Sequence, residues 1–300
     1  LNTGSVAATV FTYSGGTFNH GSGTLRFRST GNYSPSSRLL TISLASDLTI
    51  NNLVYESTTS IQSYDSGPQW TLGGASAKFI AEGDFTMQQV SGVSNSVVAN
   101  AGTIEVKGNI SIGTGANAGT TALTAVGTAS QTYTYTGGVA PHLVINKTGG
   151  SLSAASGTTD LQVAKFTQTQ GTMSAPTGTF TVLNQVGTAD TVFTYTSGTF
   201  NPNSGTLRFR STGYYSPSSR LLTISLASDL TINNLVYEST TSIQSYDSGP
   251  QWTLGGASAK FIAEGDFTMQ QVSGVSNSVV ANAGTIEAVS YTHLRAHETL

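Results

Sequence analysis

Short runs of alternating apolar and polar residues, broken by glycine and asparagine, make up most of this chain. Within Thr24–Ser29, Leu25 and Phe27 take one phase of the alternation and Arg26 and Arg28 the other. A period of two puts these pairs on opposite faces of a strand. Leu40–Leu44 alternates in the same way, and Asp47–Leu53 sets Leu48 beside Ile50 after a turn at Ala45-Ser46-Asp47. The pattern returns at Trp70–Leu72, Asp84–Met87, Thr103–Val106, Asn109–Ile112, Thr132–Thr136, Leu143–Ile145, Leu161–Val163 and Thr179–Val182. β-Branched and aromatic residues dominate the apolar set, as strands prefer. Before the last dozen residues, no window keeps apolar residues at the i, i+3, i+4, i+7 spacing over a helix's normal length.

The pattern is written twice. Tyr33–Glu105 recurs without a change as Tyr215–Glu287, 73 residues at an offset of 182. Extended back to Leu1 and Leu183, 95 of 105 positions agree, and the differences lie at the front, among them His20/Pro202, Gly21/Asn203 and Asn32/Tyr214. The chain therefore divides into a first copy (1–105), an unduplicated remainder (106–182), a second copy (183–287) and a departure from the pattern at 288–300.

Strand starts recur at intervals close to twenty residues or twice that. This spacing predicts an all-β fold, a right-handed parallel β-helix with rungs of about 20 residues and about nine rungs per 182 residues. Gly73-Gly74, Gly137-Gly138 and Gly149-Gly150 suit its tight corners, because glycine reaches positive φ without penalty. Asparagine pairs such as Asn51-Asn52 tolerate the same turns, and stacked rungs can set asparagine side chains in ladders. The alternative is a string of β-sandwich modules. A lone rung would bury four or five side chains at about 1.5–3 kcal/mol each. Ordering its backbone costs about 1–2 kcal/mol per residue, so only stacked neighbours make it stable.

Composition narrows the functional classes. Charged residues are 9% of the chain, against roughly a quarter in ordinary soluble proteins. A net charge of −3 and a pI near 5.7 point away from nucleic acid and from anionic membrane surfaces. No apolar run approaches the roughly 18 residues of a helical membrane span. With no cysteine, disulfides, thiolate catalysis and cysteine-bound zinc are excluded.

Three stretches carry a resemblance: FNHGSGTLRFRSTG at 18–31, SDLTINNLVY at 46–55, and QTYTYTGGVAPHLVINKTGG at 131–150 followed by LQVAKFTQTQGTM at 161–173. In these the chain resembles the repetitive β-helical surface proteins of bacteria, the autotransporter-like and haemagglutinin-like adhesins. The resemblance implies an extracellular or cell-surface stalk, spacer or adhesin, an internal fragment of a longer protein, with polysaccharide or a host or neighbouring cell surface as partner. It implies no cofactor and no catalytic set. A second resemblance concerns Val289–Leu300, where VSYTHLRAHET is similar to one reading frame of an adapter used for sequencing libraries. Residues 288–300 are therefore expected to be a non-biological tail, which removes His293 and His297 from any metal argument.

Candidate chemistry is sparse. Arg26 and Arg28, repeated as Arg208 and Arg210, would form a small cationic patch suited to sulfate, phosphate or uronate groups. The plainer reading is a solvated strand face. Tyr64 and Trp70, repeated as Tyr246 and Trp252, flank a Gly-Pro turn; exposed they would stack on sugar rings, buried Trp70 would plug the core. A β-helical polysaccharide lyase or hydrolase, the alternative function, needs clustered carboxylates. The nearest pair here is Glu82 with Asp84, which also reads as a solvated turn. His20 is Pro202 in the other copy, and His142 reads as an ordinary surface histidine. Thr132, Thr134 and Thr136 carry the Thr-x-Thr spacing of ice-binding solenoids, but the following strand at Leu143–Lys147 lacks it. No enzyme is expected.

Overall fold

The structure is a computed structural model that describes residues 7–30, 39–58, 67–74, 76–90, 96–185, 189–212, 221–240, 250–255, 258–271, 280–289 and 295–296. They belong to two compact units, Leu1–Thr158 and Thr159–Leu300. Among the described residues every element is a strand and every strand pairing given is parallel, so the fold is a β-solenoid and the sandwich alternative is set aside.

The first unit begins with β1 (Ala8–Tyr13), β2 (Thr24–Ser29), β3 (Leu39–Leu44), β4 (Leu48–Ile50) and β5 (Asn52–Ser57). It continues with β6 (Gln69–Gly73), β7 (Lys78–Ala81), β8 (Phe85–Gln89), β9 (Val98–Asn100), β10 (Thr103–Val106) and β11 (Ile110–Ile112). The remainder adds β12 (Ala122–Gly127), β13 (Gln131–Tyr135) and the long β14 (Ala140–Ala154). These strands pile into three parallel stacks: β1-β3-β6-β9, β2-β5-β8-β11-β13 and β4-β7-β10-β12-β14. One rung thus contributes one strand to each of three faces, as β3, β4 and β5 do in succession.

The second unit opens with β15 (Leu161–Ser174), β16 (Thr179–Asn184), β17 (Asp190–Tyr195) and β18 (Thr199–Asn201). Copy 2 follows with β19 (Thr206–Ser211), β20 (Leu221–Leu226), β21 (Leu230–Ile232), β22 (Asn234–Ser239), β23 (Gln251–Gly255), β24 (Lys260–Ala263) and β25 (Phe267–Gln271). Then come β26 (Val280–Ala283), β27 (Thr285–Ala288) and β28 (Arg295–Ala296). β15 runs through a whole rung, pairing in turn with β16, β17 and β18.

Rung length is where sequence spacing and structure differ. Ala122 pairs with His142 and Leu161 with Phe180, rungs of about twenty residues as the spacing predicts. In the copies the step is longer: Thr24 pairs with Asn52, Leu39 with Gln69 and Leu53 with Phe85. A rung there carries a third strand and the segments 31–38, 59–66 and 91–95, which lie outside the described residues. The count falls from about nine to about seven rungs per 182 residues at this mean length.

Inward positions form one apolar core in each unit. Phe27 packs edge-on against Tyr55 with ring centroids 5.6 Å apart, and Tyr55 against Phe85 at 5.9 Å. Trp70 and Phe79 tilt onto the same Phe27 ring. Phe209, Tyr237, Phe267, Trp252 and Phe261 repeat the arrangement.

The corners are held by an asparagine–aspartate ladder, as the asparagine content of the turns suggests. Asn52 Oδ1 accepts from the Asp84 backbone N–H at 2.8 Å, Asp84 Oδ1 from Asn109 N–H at 2.7 Å, and Asn109 Oδ1 from Thr132 N–H at 2.9 Å. Each rung therefore satisfies a corner donor of the next, which parallel strand pairing alone leaves open. The ladder also explains two glycines. A Cβ on Gly83 would lie 2.3 Å from Asn52 Oδ1, and one on Gly108 2.4 Å from the Gly83 carbonyl.

Candidate functional site

The arginine pair projects from β2, on the phase opposite the buried Phe27. Parallel register sets Arg28 beside Glu56 and Arg26 beside Val54 on β5. Glu56 accepts from Arg28 Nε and lies 3.4 Å from Arg26 Nη1. Its side chain is only 2% exposed, whereas Arg26 and Arg28 retain 48% and 38%. A carboxylate so far from water needs partners, and the two guanidinium groups supply them while covering it. The second copy repeats the cluster: Arg210 donates from Nε to Glu238 Oε1, Arg208 Nε lies 3.9 Å from Glu238 Oε2, and Gln270 donates to that oxygen at 2.6 Å.

The arginines expected to form an open cationic patch thus belong to a carboxylate-centred cluster, and each keeps part of its side chain exposed. Each copy carries an Arg–Glu–Arg triad with a net charge of +1, and the N–H groups turned away from the glutamate remain for other acceptors. Glu56 was missed because it lies 28 residues from Arg28, and only the stacking register joins them. An acid in the sequence at one rung length from a strand arginine is the signal that would have found it.

Trp70 and Trp252 are corrected as ligand contacts. Each is 1% exposed and lies between aromatic rings of its own core, so neither offers a face to a sugar. Their alternation phase is that of Leu72 and Leu254, the inward one. Their indole N–H groups find no hydrogen-bond partner there. Burial likewise pushes the Tyr55 and Tyr237 hydroxyls far above the ordinary phenol range. Tyr64 and Tyr246 lie outside the described residues.

The acids weighed for catalysis have structural duties. Glu82 pairs with Lys107 at 2.8 Å, while Asp84 is a rail of the corner ladder. Glu105 pairs with Lys78 at 2.8 Å, and that hydrogen bond raises the Lys78 pKa. No group of three or more His, Asp or Glu among the described residues could hold a metal ion. His20, partly exposed, contacts the Gly21 carbonyl through Nδ1 at 2.6 Å, and His142 lies partly exposed on β14.

Among the described residues one buried cation stands apart. Lys147 on β14 is 1% exposed and donates to the Ala129 carbonyl at 2.8 Å and to Gln131 Oε1 at 2.6 Å. Gln131 in turn donates to the Val106 carbonyl at 2.9 Å. Burial lowers the Lys147 pKa. This Lys–Gln relay joins the backbone of three successive rungs of the remainder, and Lys147 shares the inward alternation phase of the buried Leu143 and Ile145.

Geometry and chemistry together define a class, a parallel β-solenoid whose polar side chains are spent on holding rungs together. Comparison with protein families, with curated proteins and with solved structures found no match. No described helix is long and apolar enough to cross a membrane.

Proposed function

We propose that this protein is a segment of a bacterial cell-surface or secreted repeat protein, and that it works as a stalk, spacer or adhesin through its length and its number of units rather than through catalysis. The observation that carries this reading is the repetition of one register. Thr24 pairs with Asn52 and Leu39 with Gln69 in copy 1; Thr206 pairs with Asn234 and Leu221 with Gln251 in copy 2. A sequence that builds the same rungs wherever it is placed suits an array that grows by whole units. At about seven rungs per unit and about 4.8 Å per rung, each unit adds about 34 Å of reach. A surface contact repeated once per unit gains avidity without any new bond when one ligand spans the sites. The exposed ends of Arg26 and Arg28, with Arg208 and Arg210, are the contacts offered for uronate or sulfate groups of a polysaccharide.

Proteins of one, two and four units test the reading. Small-angle X-ray scattering should show a maximum dimension that grows by about 34 Å per unit; a dimension that fails to grow overturns the spacer. Binding to bacterial or plant polysaccharides and to host cells should strengthen with unit number for an adhesin, and no binding by any length leaves the spacer. Glycan cleavage by one unit, lost on changing Glu82 or Asp84, would establish the polysaccharide-degrading alternative.

A further inference from the structure

The front of copy 1 and the front of copy 2 share their apolar residues but not their burial. Phe18 is 41% exposed, whereas its equivalent Phe200 is 7% exposed. Val10, Phe11 and Leu25 are half-buried, while Val192, Phe193 and Leu207 are at most 4% exposed. Thr199–Asn201 forms a strand in copy 2; the same three residues at 17–19 do not. Interior positions show no such split: Leu39 and Leu221 are 40% and 39% exposed, Leu40 and Leu222 both fully buried.

Copy 2 also shows what does the covering. Phe166 of β15 stacks on Phe193 with centroids 5.0 Å apart and meets Phe200 edge-on at 6.1 Å. Phe180 of β16 stacks on Phe200 at 6.3 Å. β15 pairs with β17 and β18, and β16 with β19. Phe11, by contrast, has Phe27 as its described ring partner, and β1 pairs on one side with β3.

We propose that the face formed by Val10, Phe11, Phe18 and Leu25 is a docking surface for one specific occupant, a further copy of the 161–182 segment, supplied in the same polypeptide ahead of β1 as residues 161–182 are supplied ahead of β17. This rests on the array reading and gives it a directional joint, since the remainder segment and not the duplicated one is the piece that seals a front face. The fit is shared in the apolar residues and changed at three polar contacts across the joint: Lys165 pairs with Asp190 at 3.0 Å, Ser197 donates to the Thr169 carbonyl at 2.5 Å, and Asn203 donates from its side chain to the Ala175 carbonyl, where copy 1 has Ala8, Gly15 and Gly21. At the last of the three both copies hold positive φ, +51° for Asn203 and +52° for Gly21, a conformation asparagine tolerates.

The test places residues 106–182 in front of Leu1 in the full chain and follows amide hydrogen exchange by mass spectrometry. Pairing on a second side should slow exchange across Ala8–Tyr13 and at 17–19 by about tenfold or more relative to the unextended chain. Gly21→Asn should deepen the protection in the extended protein and leave the unextended one unchanged. Phe18→Asp should remove the protection in the extended protein and have little effect without the extension. Unchanged exchange at β1, protection that survives Phe18→Asp, or equal protection from a segment with the same composition in scrambled order would each overturn the proposal. The scattering experiment on reach fails or succeeds separately, because a sealed joint is read at β1 whether or not the protein serves as a spacer.

Discussion

At its far end, copy 2 exposes what copy 1 buries, although 73 consecutive residues are identical. Phe85 and Met87 on β8 are fully buried, while Phe267 and Met269 on β25 are only half-buried. Ile104 on β10 is fully buried and Ile286 on β27 is not. The cause lies one rung further on. β8 is covered by Ile110–Ile112, and β10 by Ala122–Gly127. Over β25 the described pairing is the two residues Arg295–Ala296. In a solenoid a residue's environment is thus set by its neighbours along the axis as much as by its own sequence. An identical strand is core in one place and surface in another.

The sharpest way to break this comparison is a pair of truncations. Phe85→Ala should cost about 3–5 kcal/mol, the range for a sealed aromatic site, whereas Phe267→Ala should cost clearly less. Local stabilities from hydrogen exchange would show this, and equal costs would mean that the covering rung contributes nothing. The triads offer the opposite expectation. Glu56 and Glu238 are both flanked by their own copy on either side, so Glu56→Ala and Glu238→Ala should cost about the same, about 1–3 kcal/mol, because each frees two arginines that can turn to water. A marked inequality would show that position in the array reaches further than one rung.

The remainder supplies a test with no counterpart in the copies. Lys147→Met should destabilise the first unit by about 1–3 kcal/mol at neutral pH, since the Ala129 carbonyl and Gln131 Oε1 lose their donor. The pH dependence has a definite sign. The folded pKa of Lys147 lies below its ordinary 10.5, so the folded state releases the proton first. Its stabilising contribution therefore rises as pH climbs through the folded value and is complete above 10.5. The wild-type advantage over Lys147→Met, read from urea midpoints between neutral and alkaline pH, should widen; a narrowing would refute the buried placement. Lys78 behaves oppositely: its folded pKa is raised by Glu105, so its contribution is present below 10.5 and lost as pH passes the folded value. The smallest effect belongs to these surface pairs. Lys78→Met should cost about 0.2–1 kcal/mol and less in high salt, with Lys260→Met, whose partner is Glu287, smaller still.

Strand positions, the parallel solenoid and the asparagine ladder were all legible in the sequence, because alternation and turn residues act within a few positions of one another. The duplication was equally plain, and it predicted that whatever copy 1 folds into, copy 2 would repeat. Tertiary structure decided the rest. The three-strand rung depends on how far the chain travels between pairings, and segments such as 59–66 lengthen that path without altering the local alternation. Glu56 became the partner of two arginines through a register spanning 28 residues, and the groups that satisfy the inward Lys147 come from the neighbouring rungs. Whether Phe85 or Phe267 is core or surface was undecidable from their surrounding sequences, which are the same. Periodicity tells a side chain which way to point, and only the neighbouring rung determines whether anything is there to receive it.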